Sequence, residues 1–158
     1  MRILGVDPGA SGALAVIDGT ARDVIELDDM PVGKIMIGKT AKNRISPEIL
    51  GQWLRDVMPI DVAYVEEVGA MPRQGVSSVF TFGQAHGLIL GAIASLGVRL
   101  VRVRPQLWQK TVKAAQDPRL TAVALYPGMA SQLKRVKDAG RADAILIAHY
   151  GLLTENEQ

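Results

Sequence analysis

Four carboxylates in this 158-residue chain stand where an acid could do chemistry rather than only solvate a surface. Asp7 closes the apolar run Ile3-Leu4-Gly5-Val6 and is followed at once by the turn signal Pro8-Gly9, which puts it at the carboxyl end of a strand. Glu66 closes a second such run, Asp61-Val62-Ala63-Tyr64-Val65, in phase with Val62 and Tyr64. Its neighbour Glu67 points to the opposite face or into the following loop. Asp143 lies among the small and apolar residues Gly140-Arg141-Ala142-Asp143-Ala144-Ile145-Leu146, on a helix face that should be dry. Asp138 precedes the same helix. Taken singly, an acid after a strand is commonly a turn residue or a cap. Asp138 reads equally well as a helix N-cap or a solvated partner of Lys137. Asp143 is harder to dismiss, because a half-buried carboxylate needs a partner or a metal to offset its desolvation. With no Cys and only two His in the chain, these acids would form an all-oxygen site. Hard divalent ions, Mg²⁺ or Mn²⁺, prefer that donor set.

The elements that must position these acids read as one α/β domain over residues 1–158, with a polar tail from 154. Runs at 3–7, 14–17 and 24–27, joined by Pro8-Gly9 and Asp18-Gly19, predict an antiparallel meander. Residues 30–44, with Lys34, Lys39, Lys42 and Arg44 beside Gly33 and Gly38, read as a mobile basic loop. Ser46-Pro47-Glu48 starts a helix with Ser at the N-cap and Pro at the first helical position, and Pro59 stops it. A fourth strand at 61–66 and a loop at 69–75 precede a long helix from Ser77 or Ser78 to Leu96, closed by Gly97. Within that helix Gly83, Gly87 and Gly91 line one face. Three helical glycines imply close backbone approach, first to the sheet and otherwise to a second subunit. A fifth strand spans Val98 to Arg104, a short helix opens at Pro105, and another runs from Asp117-Pro118 to Pro127-Gly128. A last helix covers about Gly140 to Leu153. This order predicts a mixed five-stranded sheet with helices on both faces.

Charge is uneven along the chain. Residues 1–61 hold 9 acids and 7 bases, whereas residues 68–154 hold 11 bases against Asp117, Asp138 and Asp143, so the net +2 conceals a +8 region. The absence of Cys excludes a disulfide framework, a thiolate metal site and a cysteine nucleophile, and fits a reducing compartment such as the cytoplasm. No signal peptide is visible. The longest unbroken apolar run, Gly87–Ala94, has eight residues against the ~20 a bilayer span requires, so no membrane partner is expected.

Ile3-Leu4-Gly5-Val6-Asp7-Pro8-Gly9, Tyr64-Val65-Glu66-Glu67-Val68, Phe82-Gly83-Gln84-Ala85-His86-Gly87 and Gly140-Arg141-Ala142-Asp143-Ala144 occur in the order and spacing of the RuvC family. Over roughly residues 2–153 the chain resembles RuvC-type Holliday junction resolvases. Its length and its Pro105-Gln106-Leu107-Trp108-Gln109-Lys110 segment look closest to the phage-encoded branch. The resemblance implies an RNase H-like fold with strand order 3-2-1-4-5. It also implies a homodimeric endonuclease of DNA recombination and repair that cuts four-way junctions and other branched DNA, using two Mg²⁺ or Mn²⁺ ions per site. By the same resemblance Asp7, Glu66 and Asp143 are metal-binding, with Asp7 bridging, and the products carry a 5′-phosphate and a 3′-hydroxyl. The family's fourth ligand falls three residues before the last Asp, where this chain has Gly140; Asp138 is the available substitute. Arg102, Arg104, Lys110 and Lys113 would neutralise phosphates, and Met71, Arg73 and Gln74, in the loop after Glu66, would contact the junction centre. Trp53 and Trp108 read as core anchors, and His86 and His149 as packing residues. Nothing in the chain points to a helicase partner. Asp7-Pro8-Gly9-Ala10-Ser11-Gly12 also resembles the first phosphate loop of sugar kinases and actin-like ATPases, but 158 residues do not supply their second domain and second nucleotide loop. A non-catalytic junction-binding protein of the same fold would be expected to lack one of the three principal acids, and a relative acting on other branched or hybrid nucleic acids would keep them.

Overall fold

A computed structural model of the chain describes residues 1–67, 69 and 75–157. Strands β1 (Arg2–Asp7), β2 (Ala13–Asp18) and β3 (Asp23–Asp29) form the expected antiparallel meander. Two more strands, β4 (Val32–Ile37) and β5 (Thr40–Ile45), pair with each other as a separate two-stranded sheet. This corrects the loop expected over 30–44. The apolar residues Ile35, Met36 and Ile37 stand exposed on the hairpin, and Gly38, at φ +61°, turns it. Strand β6 (Val62–Glu66) lies parallel to β1, and β7 (Arg99–Val103) lies parallel to β6 at the sheet's edge. The five-stranded sheet therefore runs β3-β2-β1-β6-β7 rather than 3-2-1-4-5, the two hairpin strands being counted along the chain but lying outside this sheet.

Helices α1 (Pro47–Asp56) and α2 (Val76–Ser95) cover one face; α5 (Ala139–Asn156), with α3 (Pro105–Thr111) and α4 (Pro118–Leu125), covers the other. Local chemistry fixes their starts. The Ser46 hydroxyl accepts the backbone N–H of Ile49, and the Asp117 carboxylate accepts that of Arg119. Gly97 closes α2 at φ +71°, a conformation that disfavours side chains.

Strand alternation divides the core in two. Ile3, Ala15, Val62 and Tyr64 pack with α5, while Leu4, Val16, Ala63 and Val65 pack under α1 and α2. The α5 layer is close to backbone contact: a Cβ on Gly5 would lie 2.2 Å from the Ala144 carbonyl oxygen. No residue larger than glycine fits there, and burying so much of β1 and α5 against each other stabilises both at roughly 25 cal/mol per Å² of apolar surface.

Helix α2 is different. Of its 20 residues only Ile89 and Ile93 are buried, and a Cβ on Gly83, Gly87 or Gly91 would meet nothing within 4 Å. The glycine face thus points away from the sheet, which corrects the expectation of internal packing. By length and composition the helix is also apolar enough to cross a membrane, a property that counting unbroken apolar runs did not register.

Candidate active site

The sheet brings the first two acids together. In the parallel β1–β6 pair Val6 faces Val65, so Asp7 and Glu66 leave the same sheet edge at matching height. Asp7 is in phase with Ile3, and Glu66 with Val62 and Tyr64, which pack toward α5. The register therefore sends both carboxylates to the face on which α5 carries Asp143. Electrostatics records the convergence. Burial, with the carboxylates of Asp143 and Glu66 nearby, pushes Asp7 from 3.8 up to about 8. Burial and then Glu66 push Asp143 up to about 7. Glu66 is raised by burial, against the lowering effect of a hydrogen bond from Trp108. Burial disfavours the charged form of all three acids, and neighbouring carboxylates add to this at Asp7 and Asp143, so a bound cation would favour their ionised forms. Among the described residues, however, no three acidic or imidazole side chains stand in an arrangement ready to grip one ion. The acids share a field without forming a closed ligand shell.

The supporting residues act through short contacts. The indole N–H of Trp108, buried midway along α3, donates to Glu66 Oε2 at 2.7 Å and fixes its orientation. Trp108 is thus the core anchor expected and also a positioning group, which its helical spacing did not reveal. A cavity of about 490 Å³ is lined in part by Trp108, Ala139 and, of the three acids, Asp143. At Gly140, where the fourth ligand would fall, a Cβ would lie 2.8 Å from the Ser11 carbonyl oxygen and 3.0 Å from Asp7 Oδ2. Any side chain there would press into the Asp7 loop, so this position offers no fourth ligand.

Asp138 does not supply it either. Its side chain is 3% exposed; it accepts the backbone N–H of Arg135 at 2.8 Å and pairs with the Arg135 guanidinium at 2.8 Å. That guanidinium holds its carboxyl below the usual range, the opposite of what befalls Asp7 and Asp143. The carboxylate is a buried structural partner, neither solvated nor grouped with the other three. Glu67 is exposed, with its backbone N–H bonded to the Val103 carbonyl.

Arg104, Lys110 and Lys113 are exposed around α3, which leaves the sheet at the edge that holds Glu66; Arg102 is exposed on β7 just before it. Met71, Arg73 and Gln74 lie outside the described residues. His86, expected to be a packing residue, has a half-buried ring whose Nε2 finds no partner among the described residues. Burial and Arg102 hold it below the ordinary imidazole value. His149 hydrogen-bonds the Tyr126 hydroxyl at 2.7 Å. Trp53 donates to Asp28 Oδ2 at 2.8 Å, tying α1 to β3.

The mixed five-stranded sheet with helices on both faces is the fold of solved RuvC structures. The chain is similar in structure to Thermus thermophilus RuvC in complex with a Holliday junction substrate, with TM-score 0.66, 18% identity, and coverage of 99% of this chain and 96% of that one. It is similar also to a second Thermus thermophilus RuvC structure, with TM-score 0.61 and 18% identity over 99% and 97% of the two chains. No protein-family model and no curated protein matches the sequence.

Proposed function

We propose that the chain is a metal-dependent, structure-specific endonuclease that hydrolyses phosphodiester bonds in branched DNA, with four-way junctions the first substrate to test. The observation that carries this reading is the placement of Asp7 and Glu66 at one sheet edge facing Asp143 of α5, all three raised by burial and Asp7 further by the other two carboxylates, in a fold similar to that of a protein seen with a Holliday junction. The donor set is oxygen only, which suits Mg²⁺ or Mn²⁺ held by Asp7, Glu66 and Asp143. A bound divalent ion would supply an activated water and Lewis-acid stabilisation of the leaving oxygen. Within that chemistry Asp7 is central between the other two acids, Trp108 holds Glu66 in its orientation, and Gly140 keeps the space beside Asp7 clear. Arg104, Lys110 and Lys113 neutralise phosphates near the same edge, so binding should weaken steeply with salt.

The working unit we infer is a homodimer joined through α2. Phe80 and Val76 are 66% and 87% exposed, and the open glycine face beside them would admit a second helix at close range. Because α2 is fixed to the sheet through Ile89 and Ile93, a second copy covers its outward apolar face without detaching it from the domain. A bacterial or phage cytoplasm suits an enzyme of this kind.

The deciding experiment is a cleavage assay on four-way, three-way, flap and linear DNA with Mg²⁺ or Mn²⁺, comparing the unaltered protein with Asp7→Asn. Cleavage confined to branched substrates and lost in Asp7→Asn is the expected result. Activity that persists in Asp7→Asn would remove the metal-site assignment. Cleavage of a different branched or hybrid substrate alone would move the reading to the wider nuclease class.

A further inference from the structure

The β4–β5 hairpin has no part in the site described above, yet its composition is one-sided. Val32–Ile45 carries Lys34, Lys39, Lys42 and Arg44 and no acid. None of these four is in an ion pair among the described residues. In the hairpin register Gly33 faces Arg44 and Ile35 faces Lys42, so Arg44 and Lys42, two apart on β5, share one face. Arg44 is aimed by a hydrogen bond from Nη2 to the Thr81 hydroxyl of α2 at 3.0 Å. The hairpin and α2 thereby enclose a cleft of about 360 Å³. Lys42 and Arg44 form one wall, Ser77, Ser78 and Thr81 another, and Ser11 lies on the loop that directly follows Asp7.

We propose that this cleft holds the sugar–phosphate backbone of the DNA strand whose neighbouring phosphate is presented to Asp7, with Lys42 and Arg44 as phosphate-binding residues. The proposal rests on the nuclease reading and names the path that the strand follows. Two cations without an ion-pair partner among the described residues and four hydroxyls, with no acid among the lining residues, match an anion with several acceptor oxygens. The volume, at the lower end of the ~300–1,000 Å³ typical of ligand clefts, suits one nucleotide unit rather than a duplex. Residues 8–11, which directly follow Asp7, line the cleft, so it opens from the loop that leaves the carboxyl end of β1.

The test measures binding of a fluorescent four-way junction by anisotropy in EDTA, where cleavage is off, across a salt series. The proteins compared are the unaltered chain, Lys42→Gln, Lys42→Glu and Arg22→Gln. Arg22 serves as control because the β2–β3 turn lies at the sheet end opposite Asp7. Lys42→Gln should raise Kd roughly fivefold, as loss of one exposed ion pair does, and flatten the log Kd against log salt slope by about 0.9. Lys42→Glu should weaken binding further, and Arg22→Gln should match the unaltered chain. Unchanged Kd and slope in both Lys42 variants, or equal losses in Arg22→Gln, overturns the proposal. The nuclease reading fails separately, if the unaltered protein binds the junction with this Lys42 dependence but cuts no DNA with Mg²⁺ or Mn²⁺.

Discussion

Replacing Asp7 by Asn tests the electrostatic account of the site without relying on catalysis. Burial, with the Asp143 and Glu66 carboxylates nearby, pushes Asp7 up to about 8 in the folded chain, against 3.8 for the free carboxyl. Holding it in the fold at pH 7 therefore costs about 1.36 × (7 − 3.8) ≈ 4 kcal/mol in the absence of a cation. At pH 5 the same product is only about 1.36 × 1.2 ≈ 1.6 kcal/mol. The sign follows from proton counting. Between the two values the unfolded chain binds fewer protons at this carboxyl than the folded one, so stability falls as pH rises from about 4 to about 8 and then levels. Water entering the cleft screens the charge, so these figures are upper bounds. Asn keeps the shape and removes the charge. In EDTA at pH 7 the variant should be more stable by about 2–4 kcal/mol, which for a chain of this size raises Tm on the order of 10 °C. Mn²⁺ should stabilise the unaltered protein but much less the variant, by mass action on the folded state. The assay is thermal unfolding followed by circular dichroism at pH 5, 6, 7 and 8, with EDTA and with Mn²⁺. A variant that melts lower than the unaltered chain at pH 7 in EDTA, or shows the same fall in stability with pH, would mean that the Asp7 charge does not burden the fold.

Three further outcomes are expected. Gly140→Ala should lower stability by about 1–3 kcal/mol, because its Cβ meets the Ser11 carbonyl at 2.8 Å, and should depress cleavage more than Tm alone explains; urea unfolding and initial rates at low temperature separate the two effects. Arg135→Gln should strip the buried Asp138 of its ion pair and lower Tm by several degrees while leaving cleavage of the folded fraction intact; a selective loss of activity would restore Asp138 to the metal site. Gly87→Leu has open space for its side chain in the single chain, so it should fold normally but sediment as a monomer; a variant that remains dimeric places the subunit contact elsewhere.

The segments and their ends follow from short-range signals along the chain. Apolar runs ending in Asp7 and Glu66, Ser46 and Asp117 as helix caps, and Gly97 as a stop all act over a few residues, so each is legible without knowing what lies across the fold. The grouping of Asp7, Glu66 and Asp143 was accessible as a motif order but depended on register. Val6 opposite Val65, and α5 seated against Gly5, put the three acids on one face. The remaining features depend on contacts between elements distant along the chain. Asp138 became a structural ion-pair partner because the Arg135 guanidinium reaches its carboxylate. Trp108 became a positioning group because β6 ends beside α3. The basic stretch at 30–44 became a hairpin because its strands supply each other's hydrogen bonds, a pairing that no alternation of apolar residues announced. The glycines of α2 turned outward because Ile89 and Ile93 hold the opposite face against the sheet. Spacing along a chain fixes which side a residue takes on its own element. What that side meets is set by neighbours far away in sequence, and that decides whether a carboxylate is a salt-bridge partner or part of an acidic site.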